Sequence, residues 1–431
     1  MISLRARLLA CVLICVPGLS SAQVGSLQSA PGPSGVNGAS LTLRDSIVAA
    51  LQGNPDLKGF AFSLRVQEAR ASAAALKPPP AVAVDLENFA GTGGNKGLSS
   101  VEATFSLSQV VELGGKRGLR IDVARSERST LDLERKAAQL DVLAEVGRRY
   151  LDVVAGQQLV ELANQTSALA QQTSAAVQRR VDAAKSPEAE LRRATVEFKR
   201  AQVEQRHTEH ELLIARAKLA ALWGATEATF GRAQADVFAL PEVGDFSVLV
   251  SRLEGNPDFA RFASEARLRD AEVRLAQSTR TPDIQLSLGV RRLQQTRDQA
   301  LVAGFSMPLF SRAQAEPAIS EARALRDQVD LESSAHLLRV RTQVLQLHQE
   351  LRHSVDEARL LREELIPEMQ KALDETRYAY DRGRYGYLEL VDGQRAFLEV
   401  RRAQLDAAIK AQLMQIEIER LTGESLVENN Q

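Results

Sequence analysis

The sequence has 431 residues, with 54 Lys and Arg against 55 Asp and Glu, for a formal net charge of −1. So even a balance excludes the basic footprint of a nucleic-acid-binding surface. Aromatic residues make up only 4% of the chain, and the abundance of Ala, Leu, Arg, Glu and Gln leans toward long helices and coiled coils.

At the N-terminus Arg5 and Arg7 precede a short apolar run at residues 8–16 and a small-residue site at Ser20-Ser21-Ala22. This is the pattern of a secretory signal peptide over residues 1–22. The run is too short for a membrane helix of about 20 residues. Leu8-Leu9-Ala10-Cys11 loosely resembles a lipobox and leaves lipidation at Cys11 as the alternative, although almost no apolar segment precedes it. Cleavage after Ala22 would remove both cysteines, Cys11 and Cys15, and with them any disulfide or thiolate metal site. Residues 23–40, rich in Gly, Ser and Pro, read as a flexible arm.

A helix is expected from near Thr42 to about Leu76, where Pro78-Pro79-Pro80 stops it. A strand follows at about 81–88, with Val82, Val84 and Leu86 alternating with Ala83, Asp85 and Glu87. Beyond the loop Gly91-Thr92-Gly93-Gly94-Asn95, a second strand at about 99–108 sets Val101, Ala103, Phe105 and Leu107 against Glu102, Thr104, Ser106 and Ser108. Two alternating runs across a Gly/Asn loop make a hairpin. After Gly114-Gly115 the period becomes helical and meets no strong stop until Ser186-Pro187. A helix of roughly 70 residues would be ~105 Å long, too long for an ordinary globular domain.

The same order returns about 200 residues later. Gly53-Asn54-Pro55-Asp56 recurs as Gly255-Asn256-Pro257-Asp258, and Phe105-Ser106 as Phe305-Ser306. Strands are expected at about 283–292 and 300–308, then a second long helix from about Gln314 to Arg382, broken in pattern at Pro367. Gly383 parallels Ala184, and Leu390 parallels Leu191. The chain therefore reads as an internal duplication. The first repeat covers 41–224, a linker 225–244, the second repeat 245–423, and a short tail 424–431. Each repeat is helix, hairpin, very long helix, turn, helix. Two half-length helices stacked end to end match one full-length partner, and heptad spacing at Leu133, Ala137, Leu140, Ala144, Leu151 and Val154 supports coiled-coil packing.

The fold class is thus mainly α with a small β part. Past the leader, no stretch approaches a membrane-spanning helix, so entry into a bilayer is possible only as strands. Four strands of about nine residues have the length of outer-membrane strands. Four cannot close a barrel alone, and open edges in lipid are forbidden, so spanning requires several chains to share one barrel. Two hairpins packed on helices in a soluble protein are the alternative.

Few residues suggest chemistry. Gly114-Gly115-Lys116-Arg117-Gly118 lacks the spacing of a phosphate loop and reads as a strand-to-helix joint. His207 and His210, with Glu209 and Glu211 nearby, are a weak metal-site candidate against a solvated helix face. His336, His348 and His353 are scattered along the second long helix. No Ser/His/Asp set, Cys/His pair or isolated carboxylate pair stands out, so neither an enzyme nor a cofactor is expected.

The duplicated order, the helix starts at Asn54-Pro55 and Asn256-Pro257, and the turn Tyr380-Asp-Arg-Gly-Arg-Tyr-Gly-Tyr-Leu-Glu-Leu-Val-Asp392 resemble the outer-membrane factor (TolC-like) family of tripartite efflux systems. Val110-Val111-Glu112-Leu113-Gly114-Gly115-Lys116-Arg117 is similar to its heavy-metal, CzcC-like branch. The resemblance implies a homotrimer with a shared twelve-stranded barrel in outer-membrane lipid and long antiparallel coiled-coil helices forming a periplasmic α-barrel. It also implies a periplasmic adaptor (membrane-fusion) protein, an inner-membrane resistance-nodulation-division pump, and export of cobalt, zinc and cadmium or of copper and silver. Drug efflux and type I polypeptide secretion use similarly built ducts, and a non-transport periplasmic coiled-coil protein is the remaining alternative. By the same resemblance Glu190, Tyr380, Tyr385, Glu389 and Asp392 fall at a periplasmic gate. Ala184, Lys185, Gly383, Arg384, Gly386 and Leu388 fall on the turns that would meet the adaptor. Tyr385 stands where the family can place an arginine, and the first turn, at Ala183-Ala184-Lys185-Ser186-Pro187, lacks the usual glycine.

Overall fold

A computed structural model of the chain describes residues 40–423. The expected leader, the arm up to residue 39 and the tail at 424–431 lie outside the described residues. The first half runs α1 (Leu43–Gly53), α2 (Pro55–Ala74), β1 (Ala81–Glu87), β2 (Glu102–Val111), α3 (Lys116–Asp182) and α4 (Glu188–Ala221). The second runs α5 (Phe246–Arg252), α6 (Pro257–Ser278), β3 (Ile284–Leu293), β4 (Gln299–Ser306), α7 (Ser311–Leu360), α8 (Ile366–Asp381) and α9 (Tyr387–Thr422). At 67 residues, α3 is ~100 Å long.

The helix expected from Thr42 to Leu76 is two helices. Proline has no N–H to donate and pushes the residue before it out of the helical region, so the chain breaks at Asn54, whose ψ is 124°. The Asn54 side chain then caps α2, accepting from the N–H groups of Asp56 at 3.0 Å and Leu57 at 3.1 Å. Its amide donates to the Leu222 carbonyl at 3.0 Å, at the end of α4. Asn256 repeats the device: it caps α6 and donates to the Leu421 carbonyl at 2.9 Å, at the end of α9. Each asparagine pins the start of one short helix to the end of another. Thus α2 continues α4, and α6 continues α9, giving two composite rods beside α3 and α7–α8.

Proline acts differently in the second long helix. Pro367 lies in the first turn of α8, and the turn before it, Leu361–Leu365, opens to a π turn. The wide turn accommodates the missing hydrogen bond and the proline ring. The expected break is therefore one loose turn within a continuous rod.

The helices lie side by side in a fixed order. In the half next to the sheet the order is α2, α3, α6, α7; in the other half it is α4, α3, α9, then α7 and α8. The chain is a slab with two unlike edges, α2–α4 on one side and α7–α8 on the other. At mid-height the linker wraps the bundle. Leu41 donates to the Arg232 carbonyl at 2.9 Å and accepts from Gln234 N–H at 2.9 Å. Phe230, Ala233 and Val237 close over Tyr150, Val153, Val154, Leu219 and Leu405. The Tyr150 hydroxyl lies under this strap, 3.0 Å from the Leu41 carbonyl and 2.7 Å from the Gln234 carbonyl. Burial pushes it up to about 12.

The four strands form one antiparallel sheet in the order β1-β2-β3-β4. The two hairpins join through β2 and β3, with Phe105 opposite Val290 and Leu107 opposite Leu288. The second strand lies a few residues later than its alternation suggests. Val110 and Val111 find partners in Gln285 and Ile284, which belong to the other repeat and are invisible to local patterning. One face is apolar and bare: Val82, Val84, Leu86, Phe105, Leu107, Leu288, Val290, Leu301 and Phe305 are all exposed. The opposite face is polar, with Arg291 bonded to Glu87 at 3.1 Å, Glu102 at 3.0 Å and Thr104 at 3.0 Å. Among the described residues, β1 and β4 each pair along one side only.

Candidate functional site

Two regions carry structure beyond packing: the joint between strands and helices, and the two turns at the far end of the rods.

At the joint, every charged residue of the motif at 110–117, and Arg120 just beyond it, has a partner. Asp283 accepts from the Leu113 N–H at 3.0 Å and from Lys116 Nζ at 2.7 Å. Burial alone would raise the Asp283 carboxyl, but Lys116 and the Leu113 N–H hold it below the usual carboxylate range. Arg120 forms a two-pronged pair with Glu112, one prong at 3.0 Å, and lowers the Glu112 carboxyl chiefly through that hydrogen bond. Arg120 also reaches the Leu76 carbonyl at 3.2 Å, and Arg117 the Ala75 carbonyl at 2.6 Å, covering the frayed end of α2. The motif is a strand-to-helix clamp that joins β2, β3, α2 and α3.

At the far end, α3 turns into α4 and α8 into α9. Both turns use the same closure. Ala184 N–H donates to Val181 at 2.8 Å and Lys185 N–H to Arg180 at 2.8 Å; Gly383 N–H donates to Tyr380 at 2.9 Å and Arg384 N–H to Ala379 at 2.9 Å. This pairing needs a left-handed residue at its centre. Gly383 supplies it with φ +72°, and Ala184 takes φ +59°. The glycine expected in the first turn is thus replaced by a strained alanine, not by another turn type.

The two turns are held together by a small core of Val177, Ala194, Tyr380, Tyr387 and Leu390, flanked by Val181, Leu191 and Val391. Arg180 crosses from one turn to the other. Its Nη1 donates to the Tyr380 carbonyl at 2.6 Å and its Nε to Ser186 Oγ at 3.1 Å. Above this core Gln394 donates to Thr173 at 2.9 Å, and Arg395 pairs with Glu197 at 2.9 Å.

The structure places the residues expected at a gate in different surroundings. Tyr380 is fully buried; burial raises its hydroxyl, and the negative charges of Glu190 and Asp381 add to this against Arg180. Glu190 is half-buried at the third position of α4, and Glu389 stands exposed at the equivalent position of α9. The Glu389 carboxylate accepts from the Gly386 N–H at 3.0 Å and so caps its own helix. Glu190 has no such bond, because the residue preceding α4 is Pro187, which has no N–H. Asp392 is exposed and acts electrostatically on Arg395. Tyr385 is exposed and lies outside the core. Gly386 caps the start of α9, and the inward stripe begins at Tyr387 and continues through Leu390 and Gln394. Ala184, Lys185, Gly383, Arg384, Gly386 and Leu388 are all exposed at the tip.

Arg180 and Tyr387 were the residues sequence reasoning missed. Tyr387 could have been found from its step of three to Leu390. Arg180 is one of two adjacent arginines in the last turn of α3, where a cation suits the helix dipole, so its second role carries no separate signal. His207 and His210 are exposed on α4, and among the described residues no three metal-ligating side chains converge. Among the described residues no helix is long and apolar enough to cross a membrane.

The chain is similar to the cobalt-zinc-cadmium resistance protein CzcC of Cupriavidus metallidurans, with 27% identity over 365 residues, 84% of this chain and 85% of the relative. It is also similar to the nickel-cobalt-cadmium resistance protein NccC of Alcaligenes xylosoxydans xylosoxydans, with 25% identity over 72% of this chain and 70% of the relative. Among solved structures, CusC superposes with a TM-score of 0.73 at 16% identity, covering 90% of this chain and 94% of that one. The open-state outer membrane channel MtrE of Neisseria gonorrhoeae gives 0.70 at 16% identity, covering 96% and 98%. The model of the family described as outer membrane efflux protein matches residues 46–225 and again residues 248–424. With both repeats matched, the chain belongs to the outer membrane efflux protein family.

Proposed function

We propose that the chain is one protomer of a trimeric exit duct that carries heavy-metal cations across the outer membrane, fed by a periplasmic adaptor and an inner-membrane resistance-nodulation-division pump. The observation that carries the duct is the sheet. Its bare apolar face suits lipid, its polar face suits a water-filled lumen, and its two unpaired edges need partners in a bilayer. Three copies would supply twelve strands. The slab of helices has two unlike edges as well, and head-to-tail contact of unlike edges makes a closed ring. The cargo reading rests on the likeness to CzcC and NccC.

The tip turns would then form the periplasmic gate. Arg180 and the Tyr380 core hold the two turns of a protomer together, while Glu190, Glu389 and Asp392 place negative charge where cations enter. The exposed residues of both turns, Lys185 and Arg384 among them, would meet the adaptor. Deleting the gene should lower the concentrations of zinc, cobalt or cadmium that stop growth and leave drug tolerance nearly unchanged. The reverse pattern on metal and drug gradients would move the protein to drug efflux.

A further inference from the structure

The chain has five histidines. Two are interior. His336 sits between Phe259 and Phe262, with ring centroids 5.0 and 5.2 Å away, and His348 Nε2 lies 2.9 Å from the Gly244 carbonyl. The other three, His207, His210 and His353, are exposed, and they occupy the two outer edges of the slab. We propose that His207 and His210 of one copy meet His353 and Glu357 of the partner subunit across the α4–α7 joint, and that together they bind a transition-metal dication such as zinc. The proposal rests on the reading of the chain as a ring of copies and adds an inter-subunit metal site to it.

The two histidines on α4 do not lie on a simply solvated face. Ala194, Ala201 and Thr208 form the buried side of the helix. Directly opposite, Val196, Val203 and Ile214 form an exposed apolar stripe. His207 and His210 continue it, because positions 196, 203, 207, 210 and 214 recur at steps of seven, four, three and four. On the other edge, α7 buries Val340, Val344, Leu351 and Val355 and exposes Leu331, Leu338, Leu345 and Leu360. His353 and Glu357 lie beside that second stripe, with His353 Nε2 3.7 Å from Glu357 Oε2. Two unpartnered stripes of coiled-coil spacing, one on each edge, are complementary halves of a helix-to-helix seam. The unpaired edges of β1 and β4 lie on the same two sides and require the same neighbour.

The two half-sites also stand at one height. Thr208 borders a cleft shared with Leu159, Leu162 and Arg402. Arg401 bonds to Gln165. Ala407 packs on Ala358 and Leu361, and Lys410 lies 3.6 Å from Glu350. Following these contacts across α3 and α9 places residues 207–210 level with residues 353–360. Rotation about an axis along the rods keeps that height. Because α4 and α7 run in opposite directions, His210 comes level with the turn that carries the partner subunit's His353 and the partner subunit's Glu357, and His207 with the turn just beyond it.

Three imidazoles and a carboxylate are a ligand set suited to tetrahedral zinc. Spacings of three and four bring each pair onto one helix face. Neither edge holds enough ligands by itself, so the site would exist only in the assembled ring and would clamp adjacent copies together.

The test uses the full-length protein purified in detergent and titrated with zinc chloride. Binding of one zinc per chain is expected. Affinity should fall at least tenfold both in the double variant His207→Ala/His210→Ala and, separately, in His353→Ala. Unchanged zinc binding in His353→Ala overturns the shared site. A second measurement reads the juxtaposition without metal. The pair His210→Cys and His353→Cys, treated with a short thiol cross-linker, should give covalent dimers and trimers on a denaturing gel, while either substitution alone gives none. Absence of inter-chain product from the pair overturns the register. Growth on metal gradients tests the export reading independently, so failure of one leaves the other distinguishable.

Discussion

Arg180 lies over the ring of Tyr380, 4.6 Å from guanidinium carbon to ring centroid, while the same side chain donates to the Tyr380 carbonyl. One residue thus ties the α3–α4 turn to the α8–α9 turn by a hydrogen bond and a cation–π contact. The Tyr380 hydroxyl, by contrast, is buried without a hydrogen-bond partner among the described residues. With the turns gating the duct as proposed, Arg180→Ala should loosen the contact between them and raise resting conductance in planar bilayers without adaptor present. Tyr380→Phe loses no hydrogen bond among the described residues and should leave resting conductance unchanged. Equal conductance of Arg180→Ala and the parent protein would remove Arg180 from the gate.

The left-handed alanine gives a stability prediction. A residue with a Cβ in that region costs about 1–2 kcal/mol relative to glycine. Ala184→Gly removes that strain but adds freedom to the unfolded chain, so a net gain of about 0.5–1 kcal/mol is expected. Gly383→Ala imposes the same strain on the second turn and should destabilise by a similar amount. Denaturant midpoints of the two variants should move in opposite directions.

Tyr150 should make the mid-height strap sensitive to alkali. Its hydroxyl has one proton to share between two carbonyls that a phenolate would repel, and burial raises it to about 12, against about 10 in an unfolded chain. The folded state holds this proton more tightly. Its contribution is complete below pH ~10 and is lost as pH climbs toward the folded value. Tyr150→Phe should lower stability at pH 8 by about 1–2 kcal/mol, the worth of a buried hydrogen bond, and flatten the loss between pH 10 and 12. Denaturant unfolding at a series of pH values reads both effects.

Much of this architecture was legible because it is periodic. Alternation at Val82, Val84 and Leu86 and the duplicated Gly-Asn-Pro-Asp needed no tertiary information. What escaped was set by contacts between distant segments. The pairing of Val111 with Ile284 extends a strand whose partner lies in the other repeat. Gly53 illustrates the limit. A Cβ there would come within 2.6 Å of the Trp223 carbonyl, while the matching Gly255 has open space. Identical letters in the two copies have different reasons. At the tip, Tyr385 and Tyr387 are two residues apart, and only the starting point of α9 decides which one turns inward.

The two acidic residues at the third position of α4 and α9 look equivalent in sequence, 199 positions apart, and differ in what holds them. Glu389 is engaged by the Gly386 N–H; Glu190 is left unengaged because Pro187 has no N–H to offer. Glutamine keeps an oxygen that can accept the same bond. Both Glu190→Gln and Glu389→Gln should therefore lower cation selectivity of the duct, read as a shift in reversal potential, with little change in thermal midpoint. The cap can be tested from the other side. Pro187→Ser supplies an N–H for Glu190 and a hydroxyl for the Glu190 N–H, completing a capping box in the first turn. That variant should stabilise the chain by about 0.5–1 kcal/mol. It should also draw the Glu190 carboxylate toward the start of its own helix, lowering selectivity in the same direction as Glu190→Gln, though by less. A Pro187→Ser channel with unaltered stability and selectivity would show that the missing N–H is not what frees Glu190.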